Sequence, residues 1–209
     1  MSDLVQVTID GRTTMVPQDT TILQAATDLG IEIPTLCHHP ALEPYGACRL
    51  CTVEVIRDGW SRLVTACNYP IRQEIEILTA SETVVRGRRM IVELLWARCP
   101  DAEVFHQLGA QYSIEKPRFD PREGELCYLC GLCVRFCNEV VGAKAISFTG
   151  RGVDREIGTP FYTVSEACIA CGACEFVCPT GAIKIADVTD KEPHPLLLDF
   201  DVGLRGRGN

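Results

Sequence analysis

A repeated run of cysteines constrains this chain more than any other feature. Cys127-Tyr-Leu-Cys130-Gly-Leu-Cys133-Val-Arg-Phe-Cys137 recurs 41 residues later as Cys168-Ile-Ala-Cys171-Gly-Ala-Cys174-Glu-Phe-Val-Cys178. Three thiols at intervals of three converge only if the backbone curls tightly, and Gly131 and Gly172 permit that approach without a side chain. The repeat belongs to a set of thirteen cysteines in 209 residues. In a reducing compartment such a set points to metal rather than to disulfides.

Each copy has the form C-x2-C-x2-C-x3-C, the spacing by which bacterial-type ferredoxins wrap 4Fe-4S clusters. In ferredoxins with two such motifs the fourth cysteine reaches the other cluster. That rule assigns Cys127, Cys130, Cys133 and Cys178 to one cluster, and Cys137, Cys168, Cys171 and Cys174 to its neighbour. Structural zinc fits poorly, because zinc ribbons use two C-x2-C pairs separated by a spacer. Cys178 is followed by Pro179, as the ferredoxin signature has it, whereas Cys137 is followed by Asn138. Asn138 restores a backbone N–H, and an added donor beside a cluster sulfur raises its reduction potential.

A further set, Cys37, Cys48, Cys51 and Cys67, is spaced C-x10-C-x2-C-x15-C, unlike the plant-type pattern. Its cysteines fall in loops of a small mixed sheet, with Gly46 and Ala47 leaving room for backbone donors. That suits a 2Fe-2S site, and on spacing alone four-cysteine zinc remains an alternative. Three sets of four account for twelve of the thirteen cysteines and isolate Cys99.

Periodicity supplies the frame. Val5, Val7 and Ile9 alternate up to an Asp10-Gly11 turn, which predicts a hairpin over Leu4 to Val16. A helix follows, with Asp19 or Thr20 as its cap, an apolar stripe from Ile22 to Leu29, and Gly30 as its stop. Strands are predicted at Thr52 to Ile56, Arg62 to Ala66 and Glu74 to Thr79, and a helix from Ser81 to about Ala97. The segment from Cys99 to Glu125 reads as polar, and the tail after Asp187 as an extension without a core of its own. The net charge of -8, with no basic stripe, excludes a nucleic-acid role. No apolar run reaches the length of a membrane helix and the first residues lack signal-peptide character, so no transmembrane segment and a cytoplasmic location are expected.

The run Gly30-Ile-Glu-Ile-Pro34-Thr-Leu-Cys37-His-His-Pro40-Ala-Leu, followed by Gly46-Ala-Cys48-Arg-Leu-Cys51, resembles the N-terminal 2Fe-2S domain of the large iron-sulfur subunit of respiratory complex I. The same domain occurs in diaphorase subunits of NAD-linked hydrogenases and in NAD-dependent formate dehydrogenases. Ile146 to Pro160 also resembles the link between the two 4Fe-4S motifs of those proteins, and the similarity spans about residues 4 to 186. It implies an α+β chain: a beta-grasp 2Fe-2S ferredoxin-like domain (1–80), a helical connector (81–125), a bacterial-type two-4Fe-4S ferredoxin domain (126–186) and an extended tail (187–209).

The resemblance also marks a departure. Family members carry an additional 4Fe-4S cluster between these domains, bound in the order H-x3-C-x2-C-x5-C. Here the stretch from Ala97 to Tyr112 holds only Cys99, with His106 after it. The connector is therefore expected to lack that cluster. His38 and His39 read as loop histidines rather than Rieske-type ligands. The charged residues from Arg151 to Glu156 read as either an interface or a solvated turn.

No G-x-G-x-x-G or P-loop follows a strand, so the chain is expected to have no catalytic site of its own. Iron-sulfur clusters exchange single electrons whereas NAD(P)H delivers a hydride, so FMN and NAD(P) are expected on a partner subunit. The resemblance implies a relay within a multi-subunit NAD(P)-linked oxidoreductase, with a flavin-bearing NAD(P)H-oxidising subunit at one end. At the other end it implies a hydrogenase-like or other terminal oxidoreductase subunit, formate dehydrogenase being the next choice. Electron bifurcation, exchange with soluble ferredoxin and a free ferredoxin-like shuttle are the competing forms of this reading.

Overall fold

Asp10 and Gly11 both take positive φ, 48° and 78°, the conformation a two-residue hairpin turn needs. They join β1 (Leu4–Ile9) to β2 (Arg12–Pro17) in antiparallel register, Val5 opposite Val16 and Ile9 opposite Arg12. The computed structural model describes residues 3–162 and 165–185 and the strand Leu198–Asp199. It divides into two units, one of Met1–His38 with Pro44–Glu93, the other of His39–Glu43 with Leu94–Asn209.

In the first unit, α1 (Ile22–Asp28) crosses to β3 (Thr52–Arg57), whose Asp58-Gly59 turn leads straight into β4 (Trp60–Thr65). β5 (Ile75–Leu78) returns between β1 and β3, giving the order β2-β1-β5-β3-β4, with β1 and β5 parallel. Val7, Ile9, Val53, Val55 and Ile77 alternate inward against Ile22, Ala25 and Ala26 of α1, and all are essentially inaccessible. This is the beta-grasp arrangement: one helix held in a mixed sheet. The helix cap is Thr21 rather than Asp19 or Thr20. Thr21 has extended backbone, and its hydroxyl accepts the Gln24 amide at 3.2 Å. The Thr20 hydroxyl is turned away and donates to the Pro17 carbonyl at 2.6 Å. β4 begins two residues before its predicted start because the tight turn pairs Arg57 with Trp60 at once.

α2 (Glu82–Arg98) is capped by Ser81, whose hydroxyl oxygen accepts the Val84 amide at 3.3 Å and donates to the Glu54 carboxylate on β3.

The second unit holds an element that the polar composition of 99–125 concealed, α3 (Glu103–Gln111). Its few apolar residues suffice because Phe105 is wholly buried and Gly109 meets the Trp96 ring. The first cysteine motif ends in α4 (Leu132–Arg135), which continues as a π-helix over Phe136–Val140. The stretch after it forms a small antiparallel hairpin of β6 (Ser147–Thr149) and β7 (Glu156–Gly158). Arg155 lies 4.1 Å from the Phe148 ring centroid, so the charged link is a built hairpin. The second motif ends in α5 (Ala173–Phe176), and β8 (Lys184–Ile185) pairs with β9 (Leu198–Asp199). The remainder of the tail lies outside the described residues. Among the described residues no helix is long and apolar enough to cross a membrane.

Candidate metal centre

Cys37, Cys48, Cys51 and Cys67 are all buried beside the beta-grasp core. Positive φ at Gly46 (73°) and Arg49 (63°) folds the intervening loop back on itself. The Cys48 amide thereby comes within 3.3 Å of Cys37 Sγ. The thiols influence one another in two pairs, Cys37 with Cys48 and Cys51 with Cys67. Within each pair one thiol is shifted toward the thiolate and the other away from it. Cys48 is lowered to about 6, first by the Cys37 thiol and then by the amides of Leu50, Leu36 and Cys37. Cys51 is lowered to about 7 by the Cys67 thiol, aided by the amides of Cys67 and Ala66. Cys37 and Cys67 are pushed up as the proton-holding partners.

In the second unit both motifs take one backbone form. Leu129 (φ 62°) and Ala170 (φ 54°) precede the second cysteine of their motif, and Gly131 (φ 78°) and Gly172 (φ 75°) follow it. Alternation between left- and right-handed residues turns successive amides inward, the anion-binding nest. One of them, Leu129 N, lies 3.4 Å from Cys127 Sγ.

The geometry crosses the two motifs. One cavity is bordered by Cys127, Cys130 and Cys133 of the first motif and by Cys178 of the second. The other is bordered by Cys168, Cys171 and Cys174 of the second and by Cys137 of the first. The apolar floors cross in the same sense: Ala182 and Ile183 line the first cavity, Ala145 and Ile146 the second. Sequence reasoning missed these four floor residues. The Ala-Ile pair trailing each motif was the available signal. Ile157 of β7 closes the first cavity, so the link between the motifs builds the site as well as joining them.

Burial dominates the titration of these thiols, pushing Cys127 up to about 11 and Cys133 and Cys174 upward as well. Thiols so desolvated become thiolates only beside compensating positive charge, as metal binding supplies. Among the described residues no three His, Cys, Asp or Glu side chains close on a single point as ligands of one ion do. The thiols stand instead in pairs or around cavities. Their number, softness, inward amides and apolar surroundings fit iron-sulfur clusters.

Cys99 and His106 stand in different environments. Cys99 is wholly buried, and its thiol is raised first by burial and then by Glu125 and the nearby thiols Cys127 and Cys130. His106 is exposed and stands edge-on to Trp96, with ring centroids 5.0 Å apart. His39 accepts the Ala41 amide at Nδ1 and packs edge-on against Phe136. Asn138 lies within the π-helix, and the amide placed on Cys137 Sγ is that of Ala145, at 3.3 Å.

A beta-grasp unit with four buried thiols, and a second unit with crossed cysteine motifs, define a 2Fe-2S plus 4Fe-4S dicluster protein. Residues 2–82 match the 2Fe-2S iron-sulfur cluster binding domain family and residues 126–191 the 4Fe-4S dicluster domain family. The chain is homologous to subunits of larger redox enzymes. It is 36% identical to the NADPH-Fe(3+) oxidoreductase subunit alpha of Geobacter sulfurreducens, over 86% of this chain and 24% of that protein. Against the NADP-reducing hydrogenase subunit HndD of Solidesulfovibrio fructosivorans the identity is 32%, over 86% of this chain and 36% of that protein. It is 30% identical to the mitochondrial NADH-ubiquinone oxidoreductase 78 kDa subunit of Candida albicans, over 86% of this chain and 28% of that protein. The chain thus spans about a quarter to a third of the length of these relatives. Among solved structures, an NAD+-reducing [NiFe]-hydrogenase in the H2-reduced state aligns with TM-score 0.64 and 28% identity, covering 80% of this chain and 84% of that one. The chain is an iron-sulfur electron-transfer module related to subunits of NAD(P)-linked hydrogenases and oxidoreductases.

Proposed function

We propose that the chain relays single electrons through three clusters inside a multi-subunit NAD(P)-linked oxidoreductase, with a hydrogenase the favoured terminal enzyme. The observation that carries the ligand assignment is the crossing of four thiols around each of two cavities. On this reading Cys127, Cys130, Cys133 and Cys178 hold one 4Fe-4S cluster, and Cys137, Cys168, Cys171 and Cys174 hold the other. Cys37 with Cys48, and Cys51 with Cys67, hold the two irons of a 2Fe-2S cluster. When bound, these groups supply one-electron chemistry. The chain's own residues bind them, turn amides toward their ligands and exclude water with Ala145, Ile146, Ala182, Ile183 and Ile157.

Docking on a partner is supported at the second cavity. Cys171 is exposed there, as are Ile169 on its border and Phe176 on α5. A cluster open to the surface beside apolar side chains suits electron exchange across an interface. A flavin-bearing NAD(P)H-oxidising subunit and a hydrogenase-like subunit are the proposed partners, supported by the kinship with chains of an NADPH-linked oxidoreductase and of two NAD(P)-reducing hydrogenases. The connector from 81 to 125 carries no fourth cluster on this reading. Its support is that Cys99 is buried among packed side chains while His106 faces solvent.

Anaerobic purification with iron and sulfide counting tests the proposal. About ten irons per chain are expected from the three cluster types, with one 2Fe-2S and two 4Fe-4S signals in electron paramagnetic resonance (EPR) during stepwise reduction. A fourth signal would overturn the reading of Cys99 and His106. Cys178→Ala should remove the cluster of the first motif and Cys137→Ala that of the second. The reverse pattern would overturn the crossing. Co-purification with FMN-containing and hydrogenase-like partners is expected, and a monomer that reduces substrate unaided would overturn the relay.

A further inference from the structure

Arg88 sits on α2 with only 5% of its surface exposed. Its Nε donates to the Thr52 carbonyl at 3.0 Å, while its buried Nη2 has no hydrogen-bond partner. Among the described residues no carboxylate forms an ion pair with it. A guanidinium is always charged, and burying one without a counter-ion is strongly unfavourable. The arrangement calls for an anion, and Thr52 directly follows Cys51. Two contacts fix the course of the helix along β3: Ser81 meets Glu54 and, two helical turns later, Arg88 meets Thr52. The helix therefore runs toward the cysteine loop and delivers its buried cation to the carbonyl of the residue that follows Cys51.

We infer that Arg88 is the counter-charge and positioning residue of the 2Fe-2S centre, an inference that rests on the assignment of Cys37, Cys48, Cys51 and Cys67 to that cluster. Two ferric irons, two sulfides and four thiolates sum to a net negative charge, and reduction by one electron deepens it. A fixed cation nearby favours the reduced form and so raises the reduction potential of this cluster. The Nε bond to Thr52 holds the end of the loop, so charge and register are set by one side chain. As a scale for the test, a unit charge roughly 10 Å from another at an effective dielectric of about 20 shifts such an equilibrium by about tenfold.

The test is an EPR-monitored redox titration of the iron-loaded protein with Arg88 intact and in Arg88→Met, Arg88→Gln and Arg88→Lys. In the two neutral variants the ratio of reduced to oxidised 2Fe-2S cluster, at fixed poise, should fall by about tenfold, with the 4Fe-4S signals unchanged. Arg88→Lys should restore most of it. A wild-type titration in the neutral variants, or an equal shift in all clusters, would overturn the inference. Anaerobic melting separates charge from scaffolding. Loss of counter-charge destabilises the reduced protein more than the oxidised one, and equal loss in both states would mean a scaffold alone. If neither neutral variant takes up the cluster, loading of Arg88→Lys supports the inference and its failure to load refutes it. Absence of any 2Fe-2S signal with Arg88 in place would overturn the cluster assignment itself.

Discussion

Gly109→Ala is a sensitive probe of the connector. On helix propensity alone the change stabilises by about 0.5–1 kcal/mol. The structure opposes it, because a Cβ at this position would stand 2.3 Å from Trp96 Cζ3 and 2.9 Å from Cη2. Carbon contacts are most favourable near ~3.5–4.0 Å, so the indole would have to move by more than an ångström. It has little freedom to do so: Trp96 is 8% exposed and borders His106. Overpacking of this kind costs about 1–3 kcal/mol, and so close an approach belongs in the upper half of that range. The net effect is a loss of about 1–2 kcal/mol, a fall of roughly 4–8 °C in the midpoint of a unit this size. Anaerobic melting at one scan rate, followed by near-ultraviolet circular dichroism and cluster absorbance, measures it. In a Trp96→Leu background the clash disappears, and Gly109→Ala should become neutral or stabilising, a coupling of about 2 kcal/mol. A higher midpoint for Gly109→Ala alone would refute the packed connector and reopen this region to a cofactor.

Three further outcomes are expected. Cys99, buried and raised in pKa by that burial, should resist maleimide in the native protein and react after denaturation; native labelling would contradict its placement. Ala170→Gly should stabilise by roughly 1 kcal/mol, because Ala170 holds a positive φ of 54° that costs an L-residue about that much; a loss of stability would count against the shared motif geometry. With iron removed, the first unit should gain stability as pH rises from about 6 toward about 9. Folded Cys48 and Cys51 ionise near 6 and 7, ahead of the ordinary thiol value of 9.0, so over that window the unfolded chain binds more protons. Above it the proton-holding partners Cys37 and Cys67 reverse the trend, and a flat urea-unfolding profile across that window would refute the pairing.

The beta-grasp strands were legible because Val5, Val7 and Ile9 alternate before Asp10-Gly11, and Val53 and Val55 before Asp58-Gly59. Period and turn chemistry agree there. The helix cap was not, since Asp19, Thr20 and Thr21 are all competent caps and only backbone conformation selects among them. α3 escaped notice because its burial depends on Trp96, a long-range contact that no local pattern reports. Spacing proposes the grouping of the cysteines, because a repeated C-x2-C-x2-C leaves few ways to converge. The cavity floors and Arg88 were hidden for the opposite reason. An Ala-Ile pair and a lone arginine are common, and they acquire meaning only when the fold carries them to a cysteine loop.

The two motifs share spacing yet differ physically at the residue after the fourth cysteine. Pro179 has no N–H and cannot continue a helix, and α5 ends at Phe176. Asn138 keeps its N–H, and α4 runs on into a π-helix closed by the Val141 amide on the Phe136 carbonyl at 3.0 Å. The wider turn carries the chain past Cys137 and returns Ala145 to its sulfur at 3.3 Å. Cys178 has the Thr180 hydroxyl at 3.6 Å instead. A firmly placed amide favours a more negative cluster better than a distant hydroxyl does. The cluster that takes Cys137 should therefore be the easier of the two to reduce. That cavity is also the one whose border includes exposed Cys171 and Ile169. Asn138 in place of a proline is thus expected to bias the pair, and a redox titration that found the cluster of Cys137 at the lower potential would refute this.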